Sequence, residues 1–115
     1  MDTPLLHIAP RADWTAAHAA GGDYTDPSLA AEGFIHLSTP DQVLIPANER
    51  FAGRTDLVLL VIDPARLDDE VVFEDRYESG LEFPHLYGPL PTQAVTKVVD
   101  FTPEADGTFV LPAGL

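Results

Sequence analysis

Apolar positions in this chain follow two rhythms. Leu57-Val58-Leu59-Leu60-Val61-Ile62 is apolar throughout and rich in β-branched side chains, the pattern of a strand buried on both faces and central in its sheet. Over 95–101, Val95, Lys97, Val99 and Phe101 alternate with Thr96, Val98 and Asp100, which predicts a half-buried strand. Shorter runs predict further strands at Leu5–Ile8, Phe34–Leu37, Val71–Glu74 and His85–Tyr87. Asp106-Gly107 reads as a hairpin turn returning through Thr108–Leu111.

Helical rhythm is confined to the first half. Asp13 is a candidate N-cap for a helix through Trp14–Ala20, stopped by Gly21-Gly22. Ser28 is a candidate cap for a short turn through Leu29–Glu32. Thr39 with Pro40 reads as a helix start, and Val43, Leu44, Ala47 and Phe51 recur at helical spacing. Pro46 inside that pattern predicts a kink or break, and Gly53 closes the segment. Asp63-Pro64 ends the central strand, with one helical turn from Pro64 to Leu67. The stretch 75–82 is an acidic loop. Helices early and strands late predict an α+β fold, and 115 residues without a linker or repeat predict a single domain over 1–115.

Composition narrows the function classes. Nineteen acids against six bases give a net charge of −13. A nucleic acid partner needs a basic footprint, and polybasic membrane attachment needs lysines, of which Lys97 is the sole example. No nucleic acid or membrane partner is expected. The absence of cysteine excludes disulfides and thiolate chemistry. With no basic start, no leader-like apolar segment and no apolar run approaching about 20 residues, a soluble, cytoplasmic protein is expected.

Histidine is the side chain best suited to proton transfer and metal binding near neutrality. His18 falls among alanines in a helix and reads as structural. His7, His36 and His85 fall in strands. Alternation puts Phe34, His36 and Ser38 on one face, and Ser38-Thr39 precede a helix start, where free backbone donors suit an anion. The competing reading is a core histidine with Ser38 and Thr39 as caps. In Phe83-Pro84-His85-Leu86-Tyr87-Gly88-Pro89, prolines and a glycine frame an imidazole and a phenol that share one side. A structural loop is the alternative. Glu74, at a strand end, could act as a base or orient a hydroxyl, or simply be solvated. Arg54 could pair a phosphate, or be exposed. His7, His36 and His85 with Glu74 could form a zinc site, but their spacing across separate strands lends that no support, and no metal is expected.

Glu32-Gly33-Phe34-Ile35-His36-Leu37-Ser38-Thr39 and Phe83-Pro84-His85-Leu86-Tyr87-Gly88-Pro89-Leu90, with Leu6-His7-Ile8, Trp14, Gln42, Asp56–Asp63 and Ala94-Val95, resemble a small bacterial family, domain of unknown function 952. The order of these pieces is also similar to the catalytic half of RNA 2′-phosphotransferases, which have the NAD-using ADP-ribosyltransferase fold. His7 corresponds to an early strand histidine there. His36 and Ser38 correspond to the end of a His-x-His-Leu-Ser strand, whose first histidine is replaced by Phe34. That likeness implies a small split mixed β-sheet with two or three short helices, and a pocket for NAD or a related nucleotide. It implies His36, His85 and Glu74 as catalytic candidates and His7, Ser38, Thr39, Arg54 and Tyr87 as ligand-binding candidates. On this reading His36 and Ser38 anchor the nicotinamide ribose, His7 meets the adenosine side or pyrophosphate, and His85 and Tyr87 close over the ring. Glu74 polarises a ribose hydroxyl in an ADP-ribosyl or glycosyl transfer. The alternatives are a non-catalytic small-ligand or partner-binding module and a His-rich metal-binding protein.

Overall fold

The structure, a computed structural model, describes residues 3–76, 78–113 and 115. The strands are β1 (Leu5–Pro10), β2 (Asp23–Tyr24), β3 (Ile35–His36), β4 (Leu57–Ile62), β5 (Val71–Glu74), β6 (Phe83–Leu86), β7 (Leu90–Pro91) and β8 (Val95–Phe101). The helices are α1 (Arg11–Ala20), α2 (Pro27–Glu32) and α3 (Leu44–Arg50), with 3₁₀ turns at Pro64–Arg66 and Thr92–Ala94. This is the expected α+β class, but the strands form small antiparallel sheets rather than one mixed sheet: β1-β4-β8, β3-β6-β5 and the pair β2-β7. Each strand meets its neighbour running the opposite way, so no parallel ladder arises among the described residues.

The apolar run of β4 is central, between β1 and β8, and buried along its whole length. Its two faces feed two cores. Val58, Leu60 and Ile62 join Leu5, Ala9, Trp14, Tyr24, Ile35 and Leu86 on one side. Leu57, Leu59 and Val61 join Leu6, Ile8, Val43, Ala47, Phe101 and Phe109 on the other. Period-two alternation along β1 puts His7 between Leu5 and Ala9, facing the first core.

Local starts differ from expectation in instructive ways. The ladder of β1 runs to Pro10 opposite Leu57, and Pro10 is the N-cap of α1, leaving Asp13 in the first turn. The N-cap of α2 is Asp26, not Ser28: its carboxylate accepts from the Ser28 N–H at 2.9 Å, with Pro27 at the first helical position. Residues 40–43 form turns rather than helix, and α3 begins only at Leu44. Pro46 therefore lies in a first turn, where a missing N–H loses no helical bond, and the predicted kink is absent. β3 stops at His36. Pro84, in the adjoining strand, accepts from the Leu37 N–H at 3.0 Å but has no N–H to return.

The turn at Asp106-Gly107 forms, but residues 108–111 make no return strand. The Phe109 N–H donates instead to the Asn48 side chain at 2.7 Å, and the Phe109 ring stacks on Phe101 at 4.5 Å. Burying one aromatic against α3 and β8 outweighs extending a two-stranded ladder into water.

Burial on both faces of β4 has a measurable consequence. Leu59→Ala and Leu60→Ala should each lower stability by about 2–5 kcal/mol, because each leaves a cavity in a different core. Urea midpoints at unchanged slope read this out. A loss below about 1 kcal/mol at either position would contradict a two-sided core.

Candidate functional site

Three distant segments meet where β1, β3 and β6 adjoin. β3 pairs with β6 so that His36 stands opposite His85. Beyond β3, Ser38 bridges to Leu6 of β1, with Leu6 N–H donating to Ser38 O at 2.7 Å and Ser38 N–H donating to Leu6 O at 2.8 Å. His7, His36 and His85 thus reach one place although 78 positions separate the first from the last (85 − 7). A cavity of about 400 Å³ opens there. His7, His36, Ser38 and His85 line it, together with the α3 end at Glu49 and Arg50 and an apolar wall that includes Phe51, Leu81 and Phe83.

The three imidazoles have different attachments. His7 is only 4% exposed. Its Nδ1 donates to the His36 carbonyl at 2.7 Å, and its Nε2 meets the Tyr24 hydroxyl at 3.1 Å and the Asp26 carboxylate at 3.5 Å. Both ring nitrogens are therefore engaged within the protein, and His7 ties β1 to β3 and to the start of α2. Burial pushes the Asp26 carboxyl up, but hydrogen bonds from His7 and from the Ser28 N–H outweigh it and hold the group well below the usual carboxylate range. Burial, then the negative charges of Asp26 and Asp13, push the Tyr24 phenol far above its ordinary value.

His36 pairs through Nε2 with Glu32 at 2.8 Å. Burial lowers its pKa, Glu32 opposes the shift, and the charges of Arg50 and His85 add to it. His85 is 1% exposed and packs its ring flat on Phe34, with centroids 4.2 Å apart. The His36 ring lies perpendicular to that of His85 at 5.4 Å.

Behind His85, register decides the chemistry. In the β5–β6 ladder Glu74 opposes Phe83, so its side chain reaches diagonally to His85 two positions along. Glu74 Oε1 accepts from His85 Nδ1 at 2.9 Å and from the Tyr87 hydroxyl in a very short contact. Those two bonds, the Tyr87 one foremost, lower the Glu74 pKa, and the same contact raises that of Tyr87.

Of the other sequence candidates, Thr39 places its hydroxyl 2.5 Å from Asp41 and 3.0 Å from Gln42, where it organises the turn before α3. Arg54 is turned away from the cavity and holds Asp56 bidentately at 3.0 and 2.7 Å, because that partner lies two residues away on an exposed bend. Glu74 and Tyr87 stand behind His85 rather than in the cavity wall. Arg50, Tyr24 and Asp26 were not singled out by the sequence. Asp26-Pro27 carried a signal as an N-cap pair, whereas Arg50 looked like any charge in a last helical turn. Among the described residues no group of three or more His, Cys, Asp or Glu side chains is arranged to hold a metal ion. His7, engaged at both nitrogens, cannot contribute to the three-histidine zinc arrangement without breaking those bonds.

The sequence pattern described as "Protein of unknown function (DUF952)" matches residues 8–98. Among solved structures, the crystal structure of protein CC0527 from Caulobacter crescentus is 37% identical over 95% of each chain, with a TM-score of 0.83. The solution structure of CC0527 is 37% identical over 93% of this chain and 91% of that one, with a TM-score of 0.79. No curated protein matches the chain.

The Asp26 pairing predicts acid behaviour. Its folded pKa lies below the unfolded value of about 3.9, so its contribution is complete above that value and is lost as pH falls toward the folded pKa. Asp26→Asn should therefore be less stable than the parent at pH 6, with the gap narrowing below about pH 4. Urea midpoints across that range test it, and a gap that stays constant would show that this carboxylate is not specifically held.

Proposed function

We propose that this chain, which belongs to the DUF952 family, binds a small nucleotide, NAD or a related molecule, in the cavity between β1, β3, β6 and α3. The convergence of His36, Ser38 and His85 on one cavity carries this reading. The volume of about 400 Å³ suits a small ligand and has room for one heteroaromatic ring with its ribose. Phe51, Leu81 and Phe83 supply an apolar wall for the ring. Ser38 offers its hydroxyl to the ribose, and His36, held through Nε2 by Glu32, borders the same space. Arg50, at the rim, can pair a phosphate through its planar fork. Of the arrangement implied by the likeness to the ADP-ribosyltransferase fold, this keeps His36 and Ser38 at the ribose, gives Arg50 the part first expected of Arg54, and leaves Tyr87, Glu74 and Thr39 outside the cavity wall.

Charge is compatible with this ligand class. The net −13 repels long polyanions, but a single dinucleotide carries few charges and meets a cavity lining in which Arg50 stands beside Glu49 and Asp26. No described helix is long and apolar enough to cross a membrane.

NAD and ADP-ribose at millimolar concentration should each raise the melting temperature, since a ligand at 100 times its Kd adds about 2.7 kcal/mol of stability. Calorimetry gives the affinity directly. Arg50→Gln and His36→Ala should weaken binding by about tenfold, or 1.4 kcal/mol each, as expected for loss of a single charged or hydrogen-bonded contact. Flat melting curves with both ligands would remove the nucleotide reading. Mass spectrometry of the incubated ligand then separates binding alone from turnover.

A further inference from the structure

The cavity holds one imidazole whose attachment differs from the others in kind. His85 is nearly enclosed, and its Nδ1 faces the Glu74 carboxylate at 2.9 Å. A carboxylate only accepts, so Nδ1 carries the hydrogen. In the neutral ring this leaves the lone pair on Nε2. That atom has no hydrogen-bond partner among the described residues, and no fully enclosed ring nitrogen is left unpartnered. His85 also forms part of the cavity wall, so Nε2 is open to the cavity and to whatever occupies it.

The surroundings hold this geometry in place. Phe34 is 1% exposed and stacks flat on the imidazole, which fixes the ring plane. Tyr87 hydrogen-bonds the same Glu74 oxygen, which fixes the carboxylate. The Arg76 guanidinium lies 5.2 Å from the Phe34 ring centre and contributes positive charge near Glu74 and Tyr87. His36, perpendicular at 5.4 Å, is the other titratable ring beside His85. His7 offers a contrast within the same cavity, since both its nitrogens are already bonded.

We propose that His85 Nε2 is the proton acceptor of this cavity, that Glu74 is its positioning residue, and that Tyr87 holds Glu74. The group it serves is a hydroxyl, of a bound small molecule or of a water beside it. The O–H bond breaks, the oxygen keeps the electron pair, and a new N–H bond forms on Nε2. The resulting imidazolium keeps its Nδ1–H on Glu74, which offsets the new charge. The proton then leaves to solvent or returns to the oxygen. This rests on the cavity being a ligand site, but not on the ligand being a nucleotide.

Two measurements on the full chain test it. In protein labelled with ¹⁵N-histidine, long-range ¹H–¹⁵N correlation at a pH where the rings are neutral should show His85 as the Nδ1–H tautomer. Diethyl pyrocarbonate, followed by peptide mass mapping, should modify His85 faster than His7. Glu74→Gln should raise the Nε2–H population and slow modification of His85 by roughly tenfold or more, because the amide can donate to Nδ1 and reverse the tautomer. Tyr87→Phe, which keeps the carboxylate, should retain the Nδ1–H form. An Nε2–H tautomer in the parent protein, His85 no more reactive than His7, or an unchanged tautomer in Glu74→Gln would each overturn the proposal. If nucleotides fail to protect a reactive, Nδ1–H His85, the nucleotide reading fails while this one stands.

Discussion

A short seam joins the two three-stranded sheets, and the site depends on it. Leu6 and Ser38 exchange a pair of backbone hydrogen bonds, and one residue along, His7 donates to the His36 carbonyl at 2.7 Å. On its other side β1 is fully committed to β4 over six paired positions. The seam therefore fastens β3, and through it β6, to the most deeply buried part of the molecule. A side chain makes the third bond because backbone pairing between these two segments is confined to the isolated Leu6–Ser38 bridge. An imidazole reaches that carbonyl from inside the core without leaving a polar atom unsatisfied.

From this seam follows a division of roles among chemically identical side chains. His7 is spent on structure, with both nitrogens bonded. His36 lies at the end of a two-residue strand, half-buried and paired with Glu32. His85 is as enclosed as His7 but bonded on one side only. Burying an imidazole against a carboxylate is costly unless the pair is well directed. Here the direction comes from ladder register, the flat Phe34 ring and the Tyr87 hydroxyl. These constraints orient one nitrogen toward the protein and leave the other to the cavity.

The acidic balance of the chain extends to the site. Several basic side chains are committed to nearby acids: Arg11 to Asp100, Arg54 to Asp56, Arg66 to Asp63. Arg50 is the arginine in the cavity wall. Its place at the C-terminal end of α3 also complements the helix dipole. The cavity lining thus mixes one guanidinium with the carboxylates of Asp26 and Glu49.

Much of the fold was legible in the sequence wherever one segment's own pattern decided the outcome. An apolar run without a polar face, as at 57–62, has to be a central strand, and β4 is one. Gly21 and Gly33 end their helices in left-handed geometry that glycine adopts without strain. The Phe34–Ser38 and Phe83–Tyr87 motifs contribute His36, Ser38, Phe83 and His85 to the cavity wall. Tertiary structure decided what depended on partners remote in the chain. Whether Thr108–Leu111 pairs or packs was settled by Phe101 and Asn48. The hydrogen-bond partners of Glu74 were settled by a diagonal contact across a ladder whose register no local pattern specifies. Which arginine reaches the cavity was settled by where α3 docks. Periodicity encodes which face of an element is dry; only the packed molecule fixes which distant groups come within hydrogen-bonding distance, because those distances depend on how all the elements are seated together.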